Sequence, residues 1–503
     1  MHRDSDRNTA TIGRRRLLQL GAASVAATAV GSVASVSAQT GSPGDVIWTY
    51  GEDELSCPQA ETFGAPLTVV DGSVYAGTTC GHVHAVDAAA GTQVDTFYSN
   101  ATTSRAPSVV DDIVVIAPNG EEVQAFDLLL EEVRTNKIWE TDSGGNVLAR
   151  ASAPTIYDGT VYVTNDDAAP HCYALDLWTG EVEWTFDGES LGEAPTVVEG
   201  LVYVCGDGGT LYALDAATGD EEWSYAIGEA FTTAPTVADG TVYVGSGDYH
   251  LYAVDAETGD EEWSFDTEGT VAATPTVADG IVYAGGGGQH LYAIDATSGQ
   301  EQWSFATGGW ITSVTVANDT VFVSNQAGLV IAVDVASGDE SWRFEDSDEP
   351  RLGGLIVVDG VLYFYNDGGI EGELYAVEAG VDGSSDGSRV LLGTTGHHDA
   401  WAETASVGER PAETGGNDDG SDGTGGNDDG SDETGGGDDD SSDTSDGGDD
   451  SSDGSTGGDD SNGADDDTGD DGMPGPGIAG ALASVGGAAY LLARRASGVR
   501  SDE

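Results

Sequence analysis

Four histidines, His82, His171, His250 and His290, recur at one phase of a repeating pattern, and such recurrence invites a metal reading. Metal ligands have to converge within about 2.1 Å of one ion. Each of these histidines opens the third strand of its own repeat, roughly 10 Å outside the first strand at two strand spacings. Equivalent positions on separate repeats therefore do not share an ion. The reading is a repeated polar residue at a strand start, and no metal site is assigned. No Ser-His-Asp or zinc spacing occurs, so no catalytic residue is assigned either.

The scarce cations are more informative. The chain has 90 Asp and Glu against 16 Lys and Arg in 503 residues, for a formal net charge of −74, and Lys137 is its one lysine. That balance excludes nucleic acid as a partner, because neutralising phosphates needs clustered cations. Residues 39–395 hold 60 acidic and 7 basic residues, a balance of −53. Such a surface resembles those of proteins adapted to saturated salt, where screening removes self-repulsion. Against it, Arg105, Arg150 and Arg351 stand in the connections leading into the innermost strands of repeats 2, 3 and 8. Phe231 and Trp310 occupy comparable connections in repeats 5 and 7. Together they are the candidate ligand-binding residues, at a channel mouth suited to an anionic or sugar-like ligand. The competing reading pairs each arginine with a nearby carboxylate such as Asp348 or Glu349.

The elements that position these residues are one unit repeated eight times. Its template runs from Ala234-Pro235-Thr236-Val237 through Asp239-Gly240, continues as Leu251-Tyr252-Ala253-Val254-Asp255-Ala256-Glu257-Thr258-Gly259, and ends at Trp263. The proline recurs at Pro66, Pro107, Pro154, Pro195, Pro235 and Pro275, and Val314 and Gly354 keep the phase in two further copies. Asp-Gly between alternating runs is a tight hairpin, and Asp-Ala-x-Thr-Gly a longer turn in which Asp binds backbone amides and Gly supplies positive φ. Four strands per unit of about 40 residues, eight times over, predict an all-β, eight-bladed β-propeller of four-stranded antiparallel blades. Trp139, Trp184, Trp223, Trp263, Trp303 and Trp342 keep step with the repeat, and with Trp48 they are assigned to blade docking. The eighth copy, Leu355 to Ala379, lacks its Trp strand, and Val46-Ile47-Trp48-Thr49-Tyr50 precedes the first copy unmatched. The N-terminal strand is therefore predicted to complete the last blade, with Arg389-Val390-Leu391-Leu392 as the rival. A monomeric propeller is expected. Blade 2 departs from the pattern: Leu128-Leu129-Leu130 and Arg134 enlarge a turn, as a docking patch or a longer hairpin.

The repeat Leu-Tyr-Ala-Leu-Asp-Ala-x-Thr-Gly-x-x-x-Trp resembles that of the pyrroloquinoline-quinone (PQQ)-like propellers over residues 45–392. That family contains quinone-dependent alcohol dehydrogenases and an outer-membrane assembly propeller. The dehydrogenases carry adjacent cysteines, a calcium site and large insertions. Here Cys57, Cys80, Cys172 and Cys205 are all separated and the repeats are near minimal, so no cofactor is expected. PQQ with calcium belongs only to the alternative, an alcohol- or sugar-oxidising enzyme with a divergent site. The cysteines read as structural, with Cys57–Cys80 and Cys172–Cys205 the expected pairing of three and free thiols the alternative.

Both ends carry addresses. Arg14-Arg15-Arg16-Leu17-Leu18, the apolar run Leu20 to Val36 and the small residues Val36-Ser37-Ala38 resemble a twin-arginine signal peptide over residues 1–38. The propeller is assigned to 39–395. Residues 396–472 are an Asp/Gly/Ser/Thr-rich stalk, whose part from Ala412 to Gly472 holds 23 acidic residues and nothing apolar larger than Ala, the composition of disorder. Residues 473–503 are a sorting signal or anchor: Met473-Pro474-Gly475-Pro476-Gly477 leads into Ile478 to Ala493 and closes on Arg494 and Arg495. The layout resembles the archaeal PGF-CTERM signal, with Pro476 where that family has Phe; the rival is a retained membrane helix. Two sequons, Asn100-Ala101-Thr102 and Asn318-Asp319-Thr320, suit surface turns. The reading is a haloarchaeal-type protein, exported and held to the membrane by its C-terminus. Its role is non-catalytic, presenting a propeller to an envelope protein or glycan.

Overall fold

The computed structural model describes residues 41–385 apart from 52–61, 100, 111, 129–136, 142–149, 167–168, 228, 232, 347–350 and 367–371. The terminal segments assigned to signal, stalk and anchor lie outside the described residues, as do Asn100 and the rival strand at 389–392.

Eight separate four-stranded antiparallel sheets account for every strand described. Blade 5 shows the pattern, with Thr236–Ala238, Thr241–Gly245, His250–Asp255 and Glu261–Asp266 running from the innermost strand outward. Blades 1–4 span residues 68–98, 108–140, 155–186 and 196–226, and blades 6 and 7 span 271–306 and 311–345. Blade 8 takes three strands from 352–378 and its outermost from Val46–Tyr50, which pairs antiparallel with Leu374–Glu378. The ring is thus closed by the N-terminal strand, as the unmatched Trp48 segment predicted.

The turns follow from their residues. Asp239 and Gly240 both have positive φ (49° and 84°), the type I′ geometry that matches strand twist. Asp255 Oδ1 accepts the backbone N–H of Glu257 (3.0 Å) and Thr258 (2.8 Å), and these bonds hold its carboxyl below the usual range.

Blade-to-blade docking rests on two concentric sets of hydrogen bonds. On the inside, a hydroxyl of the innermost strand in each of blades 1–6 donates to a carbonyl at or near the start of the next. Thr68 reaches Pro107 (2.6 Å), Ser108 Pro154 (2.5 Å), Thr155 Pro195 (2.7 Å), Thr196 Pro235 (2.5 Å), Thr236 Pro275 (2.8 Å) and Thr276 Val314 (3.0 Å). On the outside, the indole N–H of every outermost strand but that of blade 1 donates to the turn carbonyl that follows the acidic residue ending the third strand of the next blade. Trp139 reaches Leu177 (2.8 Å), Trp184 Ala216 (2.9 Å), Trp223 Ala256 (3.1 Å), Trp263 Ala296 (2.9 Å), Trp303 Val335 (2.8 Å) and Trp342 Ala379 (3.2 Å). Trp48 makes the same bond from blade 8 to Ala88 of blade 1 (3.0 Å), which leaves the junction of blades 1 and 2 as the one without an indole. A bulge just before each of these positions, as between Ala253 and Val254 opposite Trp263, re-aims the indole out of its own sheet.

The repeat glycine has a second task at this contact. A Cβ at Gly299 would lie 2.8 Å from the Trp263 ring, and one at Gly219 2.5 Å from Trp184. The two residues are linked, as blade 1 demonstrates. Asp95 stands opposite Ala85 where other blades have Trp, and blade 2 has no glycine between Asp127 and Lys137.

Two outcomes test this account by denaturant unfolding at constant salt. Gly240→Ala, where a Cβ meets nothing within 4 Å, is expected to destabilise by about 1 kcal/mol from backbone strain alone. Gly299→Ala adds the clash with Trp263, expected to cost roughly 1–3 kcal/mol more; equal losses would refute the packing role. Deleting residues 45–50 leaves blade 8 open, so a stability matching the intact protein would contradict the closure.

Candidate functional site

Strand order puts the connections between blades and the second-to-third strand loops on one face. The hairpins and Asp-Ala-x-Thr-Gly turns lie on the other. On the first, upper, face a backbone bond ties the loops of blades 1 and 4–7 to the connection beside each. Thr79 N–H donates to Thr62 O (3.0 Å), Asp207 to Ser190 (2.9 Å), Gly247 to Ala230 (2.9 Å), Gly287 to Thr270 (2.8 Å) and Gln326 to Trp310 (2.9 Å). The face is therefore braced, and its side chains are what differ between blades.

All five candidate residues are on this face or directly beneath it. Arg150, 61% exposed, places Nε 3.2 Å from Asp166 Oδ1 of its own blade. The pairing anticipated for the arginines thus occurs there with a different carboxylate. Arg351 is exposed beside the innermost strand of blade 8. Arg105 is half-buried, two residues before Pro107, and its Nε is buried without a hydrogen-bond partner. Phe231 is 5% exposed, bridges to Ser246 and sets its ring edge-on to Tyr252 at 6.3 Å. It is a core wedge and presents no surface to a ligand. Trp310 is 39% exposed, with its ring edge 3.6 Å from the Cβ position of Gly287 on blade 6. Toward the axis, Ala106, Ala153, Ala194 and Ala234 form one buried cluster across blades 2–5, which offers no polar group. The repeat reading missed Tyr249, 52% exposed on blade 5; the signal was a non-glycine at the loop position of Gly81, Gly209 and Gly328.

The four histidines remain local. His171 Nδ1 lies 3.0 Å from Asn165 O, His250 Nδ1 3.1 Å from Asp248 O, and His290 Nδ1 3.0 Å from Gly288 O. His82 sets its ring edge-on to Tyr98 at 4.9 Å. Among the described residues no three His, Cys, Asp or Glu are grouped so as to hold a metal ion.

Cys80 is disulfide-bonded, and Cys57 lies outside the described residues. Cys172 and Cys205 are both free, which corrects the second expected pair. The reason is strand alternation. Val204 packs with Cys172 between blades 3 and 4, whereas the neighbouring Cys205 faces the opposite side of its sheet, toward blade 5. Burial pushes the Cys172 thiol up to about 12 and that of Cys205 well above the ordinary value.

Residues 29–168, 173–379 and 267–412 match the family model described as outer membrane protein assembly factor BamB. Among curated proteins, a 166-residue stretch is 32% identical to the serine/threonine-protein kinase AfsK of Streptomyces griseus, covering 31% of this chain and 20% of the kinase. The chain thus matches about a fifth of that relative's length. Among solved structures, BamB from Moraxella catarrhalis superposes with a TM-score of 0.54 at 17% identity, covering 66% of this chain and 99% of that one. Quinohemoprotein alcohol dehydrogenase from Comamonas testosteroni gives 0.54 at 14% identity, covering 67% of this chain and 76% of that one. At these identities the likeness is one of fold.

Thiol counting checks the site's chemistry. Native protein at pH 8 is expected to leave Cys172 and Cys205 unlabelled by iodoacetamide, because thiolate reacts and burial suppresses it. After unfolding without reductant both become reactive; finding neither reactive would restore the second disulfide.

Proposed function

Because the chain belongs to the outer membrane protein assembly factor BamB family of PQQ-like propellers, we propose that it is a non-catalytic scaffold that works by presenting its upper face. One observation carries this reading. The residue types that repeat, and so could build an eight-fold chemical device, are bonded into the blades: Thr and Trp between blades, Asp in turns. The residues that vary are on the upper face. The matched family is described as an assembly factor, and assembly needs a recognition surface rather than a reactive centre.

The alternative is a PQQ-dependent oxidoreductase, favoured by the fold shared with the quinohemoprotein dehydrogenase. A calcium-held quinone needs grouped oxygen donors. Among the described residues no three acidic, His or Cys side chains supply such a group. Cys172 and Cys205 belong to separate clusters, so they are not the adjacent pair of the dehydrogenases. Both observations support the scaffold reading over the quinone-dependent one.

The address belongs to the same proposal. The Arg14-Arg15 signal and the apolar stretch at Ile478 to Ala493 support export and attachment at the membrane, with the propeller outside. The net charge of −74 supports a surface working in concentrated salt, where self-repulsion is screened. The natural partner is an envelope protein or glycan.

Titrating the purified full chain in high salt with PQQ and calcium decides between the two readings. Unchanged quinone absorbance and melting temperature are expected. Tight calcium-dependent binding with a melting shift of several degrees would overturn the scaffold reading.

A further inference from the structure

Among the described residues ten that are not glycine have positive φ. Seven of them (Asp71, Asp158, Glu199, Asp239, Asp279, Asn318 and Asp359) sit in the hairpins of the lower face, where short polar side chains tolerate that backbone. The other three are Tyr249 (φ 76°), Glu268 (57°) and Gln289 (60°), and all lie on the upper face over blades 5 and 6.

Their equivalents in several other blades are glycines. Tyr249 and Gln289 occupy the loop position of Gly81 (φ 83°), Gly209 (85°) and Gly328 (76°). Each closes the same turn: Tyr249 N–H donates to Ser246 O (3.4 Å), Gln289 to Gly286 O (3.1 Å) and Gly209 to Gly206 O (2.9 Å). Glu268 is the counterpart of Gly308, since Thr267 Oγ1 donates to Gly269 O (2.7 Å) as Thr307 Oγ1 does to Gly309 O (2.9 Å). A large side chain in left-handed backbone is strained, and such strain collects where a side chain has work to do. All three side chains are exposed, so burial does not offset it.

These residues share one patch. Tyr249 O accepts both the N–H and the hydroxyl of Thr267 (2.8 Å each), which begins the connection carrying Glu268. Gln289 O accepts the same pair from Thr307 (2.9 and 3.0 Å), three residues before Trp310. Between them Gly287 and Gly288 leave partly exposed backbone without side chains, with the Trp310 ring edge against Gly287. The patch therefore offers two exposed aromatic rings, Tyr249 and Trp310, together with bare backbone, a carboxylate and an amide.

The chemistry excludes an anion. No Lys or Arg occurs between Arg150 and Arg343, so blades 4–6 have none, while Asp248, Asp266 and Glu268 are close to the patch. The anionic ligand entertained for Trp310 does not suit this sector. Aromatic faces with flanking acceptors match a molecule having C–H faces and outward hydroxyls. We propose that Tyr249, Glu268, Gln289 and Trp310 form a binding site for a neutral glycan. This rests on the scaffold reading and names the ligand class of that face.

The test uses the intact chain in high salt, titrated calorimetrically with maltohexaose, cellohexaose and mannohexaose. At least one is expected to bind, and Trp310→Ala to weaken it tenfold or more. Tyr249→Gly separates recognition from structure: it should weaken binding similarly while leaving the melting temperature unchanged or higher, since it removes strain. The proposal is overturned if no hexasaccharide binds, if either substitution leaves the affinity intact, or if Tyr249→Gly lowers the melting temperature. The quinone titration judges the scaffold reading separately, so a failure here leaves that result standing.

Discussion

A four-stranded blade is too small to bury both of its faces alone, so every blade depends on what it presents to the next. At seven of the eight junctions that contact is an indole on the outermost strand, seated on a glycine and bonded to the carbonyl of the following turn, as Trp263 is on Gly299 and Ala296; between blades 1 and 2 both the indole and the glycine are missing. Burying such an aromatic contributes several times more than its single hydrogen bond, which nets about 1 kcal/mol. The bond fixes where the ring goes. Because the contact is directional, running from one blade to its successor, blade 8 needs an indole from outside its own copy to dock on blade 1, and Trp48 supplies it. Ring closure by the N-terminus is a consequence of this directional contact.

The same contact explains why so much of the fold was legible in the residues. Asp239-Gly240, Asp255 with its turn and the spacing of the tryptophans each state a local geometry, and the local geometries agree. The unmatched Trp48 even told which terminus closes the ring. Legibility ended where a residue's meaning depends on the side of a strand it faces. Cys172 and Cys205 are close enough in pattern to suggest a bridge, yet alternation in the second strand of blade 4 turns Cys205 away. Phe231 read as a surface aromatic and is a wedge under Tyr252. Arg150 found Asp166, a carboxylate in the loop of its own blade, rather than those near Arg351.

The functional face was the least legible part, for a physical reason. Repetition marks residues that solve the packing problem eight times over, and recognition appears as departures from it. Tyr249 looks ordinary until the backbone reveals that blades 1, 4 and 7 have glycine there. Gly287 and Gly288 likewise read as a loop, and become part of a surface only with Trp310 beside them. In this chain the repeating residues hold the ring together, and the recognition surface we propose is built from exceptions to them on the upper face.

That division is open to one direct measurement: amide hydrogen exchange of the intact protein in high salt, free and with a saturating neutral hexasaccharide. The account expects added protection confined to the connections and loops around residues 246–249, 267–270, 286–289 and 307–310, with the hairpins and outermost strands unchanged. Protection centred on the outer tryptophan strands or the lower-face turns, or none anywhere, would contradict it.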